Sequence, residues 1–368
     1  MVDYGYLVYL TISAATFALF ALGLNVQWGL TGLINFGHVA FMTVGAYGAI
    51  LLSMQGVPLL AAVAIGAGLA ALLGLLVGTT ALRLREDYLA IVTIGISELL
   101  RQIALNEEWL TQGALGLQQF PLPLADYQPG PWGKGAAIAV LTLLALIAVV
   151  ALWRGIRQQQ RQRQARQQRS WDLLLWGAAA TLLGGTLYTS GAIALADYDY
   201  KAGLMLLVLV VLALVYAGVG RLAQSPWGRV LKSIREDEQV PRALGKDIFG
   251  YKLQAFMLGS AIAGVAGALY AWQLTAVYPQ NFDPLISFYA WTIVILGGSG
   301  RNAGVLLGAV LFWGYNSLTR FVLPDLLPLD DARVSALRIM AIGAILMGLM
   351  VWRPQGLLGN KEELTLGR

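Results

Sequence analysis

Apolar residues run along this chain in long unbroken blocks and not in the alternating pattern of half-buried strands. Leu7 to Leu24, Ala61 to Ala81, Ala136 to Trp153 and Ala336 to Trp352 carry little or no charge. A helix needs about 20 such residues to cross a hydrocarbon core of about 30 Å, and a segment in lipid must satisfy its backbone groups internally. Continuity therefore predicts helices, at 5–27, 32–53, 58–82, 88–104, 135–153, 172–190, 203–220, 252–275, 286–298, 303–322 and 335–352. The expected fold class is all-α, a polytopic transmembrane helical bundle of about 9–11 spans. The piece at 286–298 is short for a crossing and reads as a span or as a re-entrant segment.

Composition sharpens this picture, because 58% apolar against 12% charged residues excludes an ordinary soluble domain. The chain has no cysteine and one histidine, so disulfides, thiolate sites and multi-histidine metal sites are excluded, and no metal residues are expected. The net charge of +5 does not point to nucleic acid, since the basic residues flank the apolar runs. Of the 25 Lys and Arg residues, 18 fall in 83–87, 154–170, 221–251, 298–302 and the tail from 353. By the positive-inside rule these segments are cytoplasmic, giving an N-out, C-in orientation. The opposite loops, such as LADYDYK at Leu195 to Lys201 and the stretch 324–331, are acidic or neutral. The N-terminus lacks a cationic leader and an A-x-A-like cleavage site, so the first apolar run is expected to be retained.

Polar and glycine residues inside the spans carry the candidate chemistry. The run GLTGLINFGHVAFMTVGAYG at 29–48 places Thr31, Asn35, Gly37, His38 and Phe41 at membrane depth. A broken helix there presents backbone groups to a substrate; equally, the same residues serve close helix packing and interhelical hydrogen bonds. Glu98 and Arg101 lie one turn apart on an apolar span, as a substrate-facing pair or as a structural one. Residues 225–246, SPWGRVLKSIREDEQVPRALGK, read as a short amphipathic helix with Ile234, Val240 and Leu244 on its apolar face, suited to a partner's groove or simply solvated. Gly300, Gly304 and Gly308 recur every four residues and form one small face for helix packing. The basic, Gln-rich run at 154–170 cannot bury a core and reads as a cytoplasmic loop at the anionic leaflet. No G-x-x-x-x-G-K-[ST] loop is present, so any ATP that drives this chain binds elsewhere.

Taken in order, the runs GLTGLINFGHVAF, LREDYLAIVTIG, GRVLKSIREDE with ALGKD and KLQAFMLGSAIAGVAGAL, GGSGRNAGVLLGA and the terminal RPQGLLG resemble the LivH and LivM type permeases of the branched-chain and hydrophobic amino-acid uptake family. The LivM partner is the nearer match, in the phrasing of NatC-like neutral amino-acid permeases of cyanobacteria. The resemblance implies one permease domain over 1–368 in a bacterial inner (plasma) membrane, paired with a second LivH-like permease subunit. Two cytoplasmic ABC ATPase subunits would carry the ATP-Mg, so this chain itself would bind no cofactor and catalyse nothing. An extracytoplasmic solute-binding protein would deliver substrate. By the same resemblance, 221–251 is a coupling segment, with Gly228, Arg229, Arg235, Glu236, Asp237 and Gly245 toward the ATPase. Thr31, Asn35, Gly37, His38, Phe41 and Glu98 line or neighbour the substrate path. Glu86, the basic 154–170 run and the span at 172–190 depart from the family pattern. Urea or short amides are the alternative cargo. An ion-coupled secondary transporter is the alternative class, for which only Glu98 and His38 are intramembrane titratable groups.

Overall fold

The computed structural model describes residues 4–125, 127–165, 171–326, 330–352 and 355–358. Fourteen α-helices are described: α1 Tyr4–Leu24, α2 Val39–Met54, α3 Leu59–Ala81, α4 Glu86–Asn106, α5 Glu108–Thr111, α6 Pro131–Ala165, α7 Trp171–Asp197, α8 Tyr200–Gln224, α9 Pro226–Glu236, α10 Gln239–Ala243, α11 Ile248–Leu274, α12 Leu285–Gly297, α13 Asn302–Leu326 and α14 Asp331–Trp352. Two residue pairs, β1 Leu117–Gln118 and β2 Ala276–Val277, form a small antiparallel ladder. Every apolar segment named from the sequence carries a helix, and the fold is an all-α polytopic bundle. Six helices are long and apolar enough to cross a membrane among the described residues. The pair Pro279–Gly297 and Asn302–Phe321 bends by 116° at a break.

One correction concerns the second segment, expected as helix over 32–53. Its helix begins only at Val39, and residues 32–35 have no regular structure. Gly32 takes φ +82, a region open to glycine, and Asn35 forms a side-chain turn by accepting from the Gly37 N–H at 3.0 Å. α2 alone, 16 residues long, spans about 24 Å at 1.5 Å per residue.

The chain divides into two compact units, one of Met1–Ile12 with Leu124–Ala213, the other of Ser13–Pro123 with Leu214–Arg368. In the first, α6 and α7 pack side by side; Thr142 and Tyr188 share a hydroxyl hydrogen bond of 2.9 Å, and Lys134 Nζ donates to the Ala196 carbonyl at 2.7 Å. α6 continues as helix into the basic run to Ala165; the rest of that run, 166–170, lies outside the described residues, as do 327–329 of the acidic loop and 353–354 and 359–368 of the tail.

The second unit is built on α2, α3 and α11, which pack against one another through small residues. A methyl built on Gly66 would stand 2.7 Å from the Gly45 carbonyl, one on Gly264 would stand 2.7 Å from Ala70 Cβ, and one on Gly45 would overlap the Gly264 backbone. Lipid tails are as apolar as leucine, so close backbone approach, and not burial from water, holds such helices together. At one end of this unit Arg83 lies over the Phe249 ring, 5.7 Å from its centroid, beside α9 and α10. The β1–β2 ladder lies at the opposite ends of α4 and α11.

Gly45→Ala should destabilise the second unit by about 1–3 kcal/mol, the usual cost of overpacking. Gly68→Ala, which meets open space, is the control. Thermal unfolding in detergent measures both; equal midpoints would contradict the packing described.

Candidate translocation path and coupling site

The irregular segment is held from every side by buried hydrogen bonds. Asn35 Nδ2 donates to Gln27 Oε1 at 2.8 Å and lies 3.5 Å from His38 Nδ1. Gln27, in the π-helical turn Asn25–Gly29 that ends the first span, donates through Nε2 to the Phe256 carbonyl at 2.9 Å and to Ser260 Oγ at 3.3 Å on α11. His38 Nε2 is 3.1 Å from the Phe20 carbonyl. A carbonyl only accepts, so the ring carries its proton on Nε2 and leaves Nδ1 as the acceptor for Asn35. Trp291 Nε1 of α12 donates to the Asn35 carbonyl at 2.9 Å. The Phe36 N–H donates to Thr93 Oγ1 of α4 at 3.2 Å, and the Val39 N–H to Ser287 Oγ of α12 at 2.9 Å. Gln27, Asn35 and His38 are all fully buried.

The path residues expected from the sequence thus fall into two groups. Thr31, Asn35, Gly37, His38 and Phe41 come together in this core: Thr31 Oγ1 donates to the Val26 carbonyl at 2.9 Å, Gly37 lies directly on the Thr93 backbone, and Phe41 meets the Phe256 ring edge-on at 5.6 Å. They pin the break. Glu98 stands apart, half-buried and paired within its own helix. Arg101 Nε and Nη2 donate to its two oxygens at 2.8 and 2.6 Å, and Gln102 adds a third bond at 2.7 Å.

The segment expected as one amphipathic helix folds as two, because Asp237 turns extended at φ −159 and accepts from the Gln239 N–H at 2.8 Å. This corrects the expected apolar face. Leu231, Ile234 and Pro241 are buried, whereas Val240 and Leu244, beyond the turn, are 52% and 73% exposed. Ser225 caps α9, Gly228 packs on the Leu222 and Ala223 backbone, Trp227 Nε1 donates to Gln254 Oε1 at 2.9 Å, and Glu238 pairs with Lys252. Arg229, Glu236, Asp237 and Gly245 face solvent. Arg235 does not: half-buried, it donates through Nη1 to the Gly29 carbonyl at 2.6 Å and through Nη2 to Ser299 Oγ at 3.4 Å.

The glycine face also divides. Gly304 and Gly308 pack against the α12 backbone, while Gly300 lies in the break between α12 and α13, where its N–H donates to Asn25 Oδ1 at 2.9 Å. The tail closes this second break: the Leu357 and Leu358 N–H groups donate to the Leu296 and Gly297 carbonyls, each at 3.0 Å, and Arg301 Nη1 to the Leu358 carbonyl at 2.7 Å. Sequence reasoning passed over Gln27, Asn25 and Ser287. A single amide at a span edge or a serine in a helix gives no signal by itself, and only their distant partners, such as Asn302 for Asn25, mark them.

Asn35→Leu strands Gln27 Oε1 and the Gly37 N–H, and each buried unsatisfied group costs about 1–3 kcal/mol. It should lower the thermal midpoint of the purified protein, and Gln27→Leu should do the same. An Asn35→Leu protein as stable as wild type would contradict the network.

Residues 6–351 match the family described as the permease component of the branched-chain amino acid transport system. The chain is 32% identical to the high-affinity branched-chain amino acid transport system permease protein LivM of Escherichia coli (strain K12), over 95% of this chain and 70% of that protein. It is also 32% identical to LivM of Salmonella typhimurium, over 93% and 67%, and 29% identical to a probable LivM of Methanocaldococcus jannaschii, over 52% and 58%. No solved structure matches. With six apolar helices of spanning length and a family match along nearly its whole length, this chain belongs to the branched-chain amino acid transport permease family, as a multi-pass inner-membrane permease subunit of an ABC transporter.

Proposed function

We propose that this chain translocates hydrophobic, branched-chain type amino acids as one half of an importer whose ATP is hydrolysed on two separate ABC ATPase subunits. A second LivH-like permease forms the other half, and a solute-binding protein supplies the opposite face. The observation that carries this reading is the α9–α10 surface. It is an exposed, charged helix pair fastened to α11 by Trp227 and Glu238, at the same end of its unit as Arg83. With Leu231 and Ile234 already seated within the chain, the charged face of α9 is the one left open to a partner. The surface residues proposed to meet the ATPase are Arg229, Glu236, Asp237 and Gly245, with Gly228 holding α9 against the end of α8.

The charge asymmetry supports placing this end in the cytoplasm. Relatives named for branched-chain amino acid transport support the cargo. A family match that runs through both compact units supports a single permease domain over 1–368. The core around Asn35 and His38 is proposed to border the path from within, as the fixed element beside which helices move in alternating access.

Labelled leucine should enter vesicles holding this chain and its partner subunits only when ATP is present. Glu236→Arg should cut that uptake about tenfold, the scale of one lost charge contact at an interface, with the amount of protein in the membrane unchanged. Uptake driven by an ion gradient without ATP would overturn the proposal.

A further inference from the structure

We propose that Arg235 is the residue through which movement of α9 reaches the interior of the permease. It acts as a positioning residue that ties the coupling helix to both helix breaks, and not as a contact for the ATPase. This rests on the reading above that α9 and α10 meet an ATPase.

The two breaks touch each other where Arg235 enters. A methyl built on Gly29, the last residue of the π-helical turn, would stand 2.6 Å from the Gly300 nitrogen. Asn25 spans the junction, accepting from the Gly300 N–H at 2.9 Å and donating through Nδ2 to Asn302 Oδ1 at 3.1 Å. Arg235 takes one acceptor from each side: the Gly29 carbonyl, at 2.6 Å, belongs to the first break, and the Ser299 hydroxyl, at 3.4 Å, to the second. The Arg235 stem also lies against Gly32, its Cγ 3.6 Å from where a Cβ would stand.

Three physical arguments follow from this placement. The Gly29 carbonyl closes a helical run, where the backbone ladder stops and a donor must come from elsewhere; a cation at that end is also favoured by the helix dipole. The guanidinium fork addresses two acceptors in a fixed geometry, which a lysine ammonium on a flexible stem does not reproduce. Finally, α9 is rigidly seated by Leu231 and Ile234, so a displacement of its outer face carries Arg235 with it. Because Gly29 leads directly into the segment held by Gln27 and Asn35, a pull at Arg235 acts on that irregular segment and on the α12–α13 bend together.

The test compares Arg235→Gln and Arg235→Lys with wild type in the full complex, reading ATPase co-purification and ATP-driven leucine uptake separately. Arg235→Gln should retain the ATPase subunits while uptake falls about ten- to hundredfold, as for a lost charge-assisted hydrogen bond. Arg235→Lys should recover part of the loss. If Arg235→Gln instead sheds the ATPases, as Glu236→Arg is expected to weaken them, Arg235 is a docking contact and the proposal fails; normal uptake also overturns it. A second arm needs no ATPase. The chain has no cysteine, so Ser299→Cys introduces a single thiol. Its labelling by a maleimide in the purified permease should speed up about tenfold when Arg235→Gln is added. An unchanged labelling rate overturns the link even if the wild-type chain binds no ATPase, an outcome that would refute only the reading on which the coupling rests.

Discussion

Backbone that leaves the helix at membrane depth has to find its hydrogen bonds in protein, because lipid offers none. That constraint organises this permease. The segment between the π-helical turn and Val39 abandons its ladder; Thr93 of α4 and Ser287 and Trp291 of α12 take up freed backbone groups, and Gln27 of the π-helical turn holds the Asn35 side chain. Each donor and acceptor of the Asn35 amide is used, and His38 is fixed in one tautomer between Phe20 and Asn35. A network this complete is rigid, since moving one member strands its neighbours without a partner. Glycines permit it by letting backbones come within reach, as Gly37 does at Thr93.

The second break follows the same logic with different parts. Its turn is stitched to the first by Asn25, and the open carbonyls at the end of α12 are taken by the Leu357 and Leu358 N–H groups. Leu357 and Leu358 of the RPQGLLG run thus close this break. Both irregular segments converge where Arg235 of α9 enters, which places the proposed input from ATP next to two breaks in the helix ladders of the second unit.

Much of this was legible in the sequence. Continuous apolar blocks located the helices, and Asn35 and His38 stood out because a polar group in an apolar run needs a reason. What the pattern did not give was partnership. Gln27 falls at the edge of a span, where an amide is unremarkable to the eye, and its partners Phe256 and Ser260 lie more than two hundred positions away. The start of α2 was misplaced because the apolar run continues through a stretch that Gly32 and the Asn35 turn make non-helical. Val240 and Leu244 were assigned to a face they do not share, since Asp237 ends the helix and resets the phase. Arg235 looked like its exposed neighbours; only the fold shows it reaching inward.

The central claim is that residues 30–38 form a fixed segment held by side-chain hydrogen bonds and not a pliable loop. Hydrogen exchange at the Phe36, Gly37 and Val39 amides tests it most directly, since these donate to Thr93, Asn35 and Ser287. The account predicts exchange as slow as that of the buried middle of α11. Exchange at the rate of a solvated loop would contradict it.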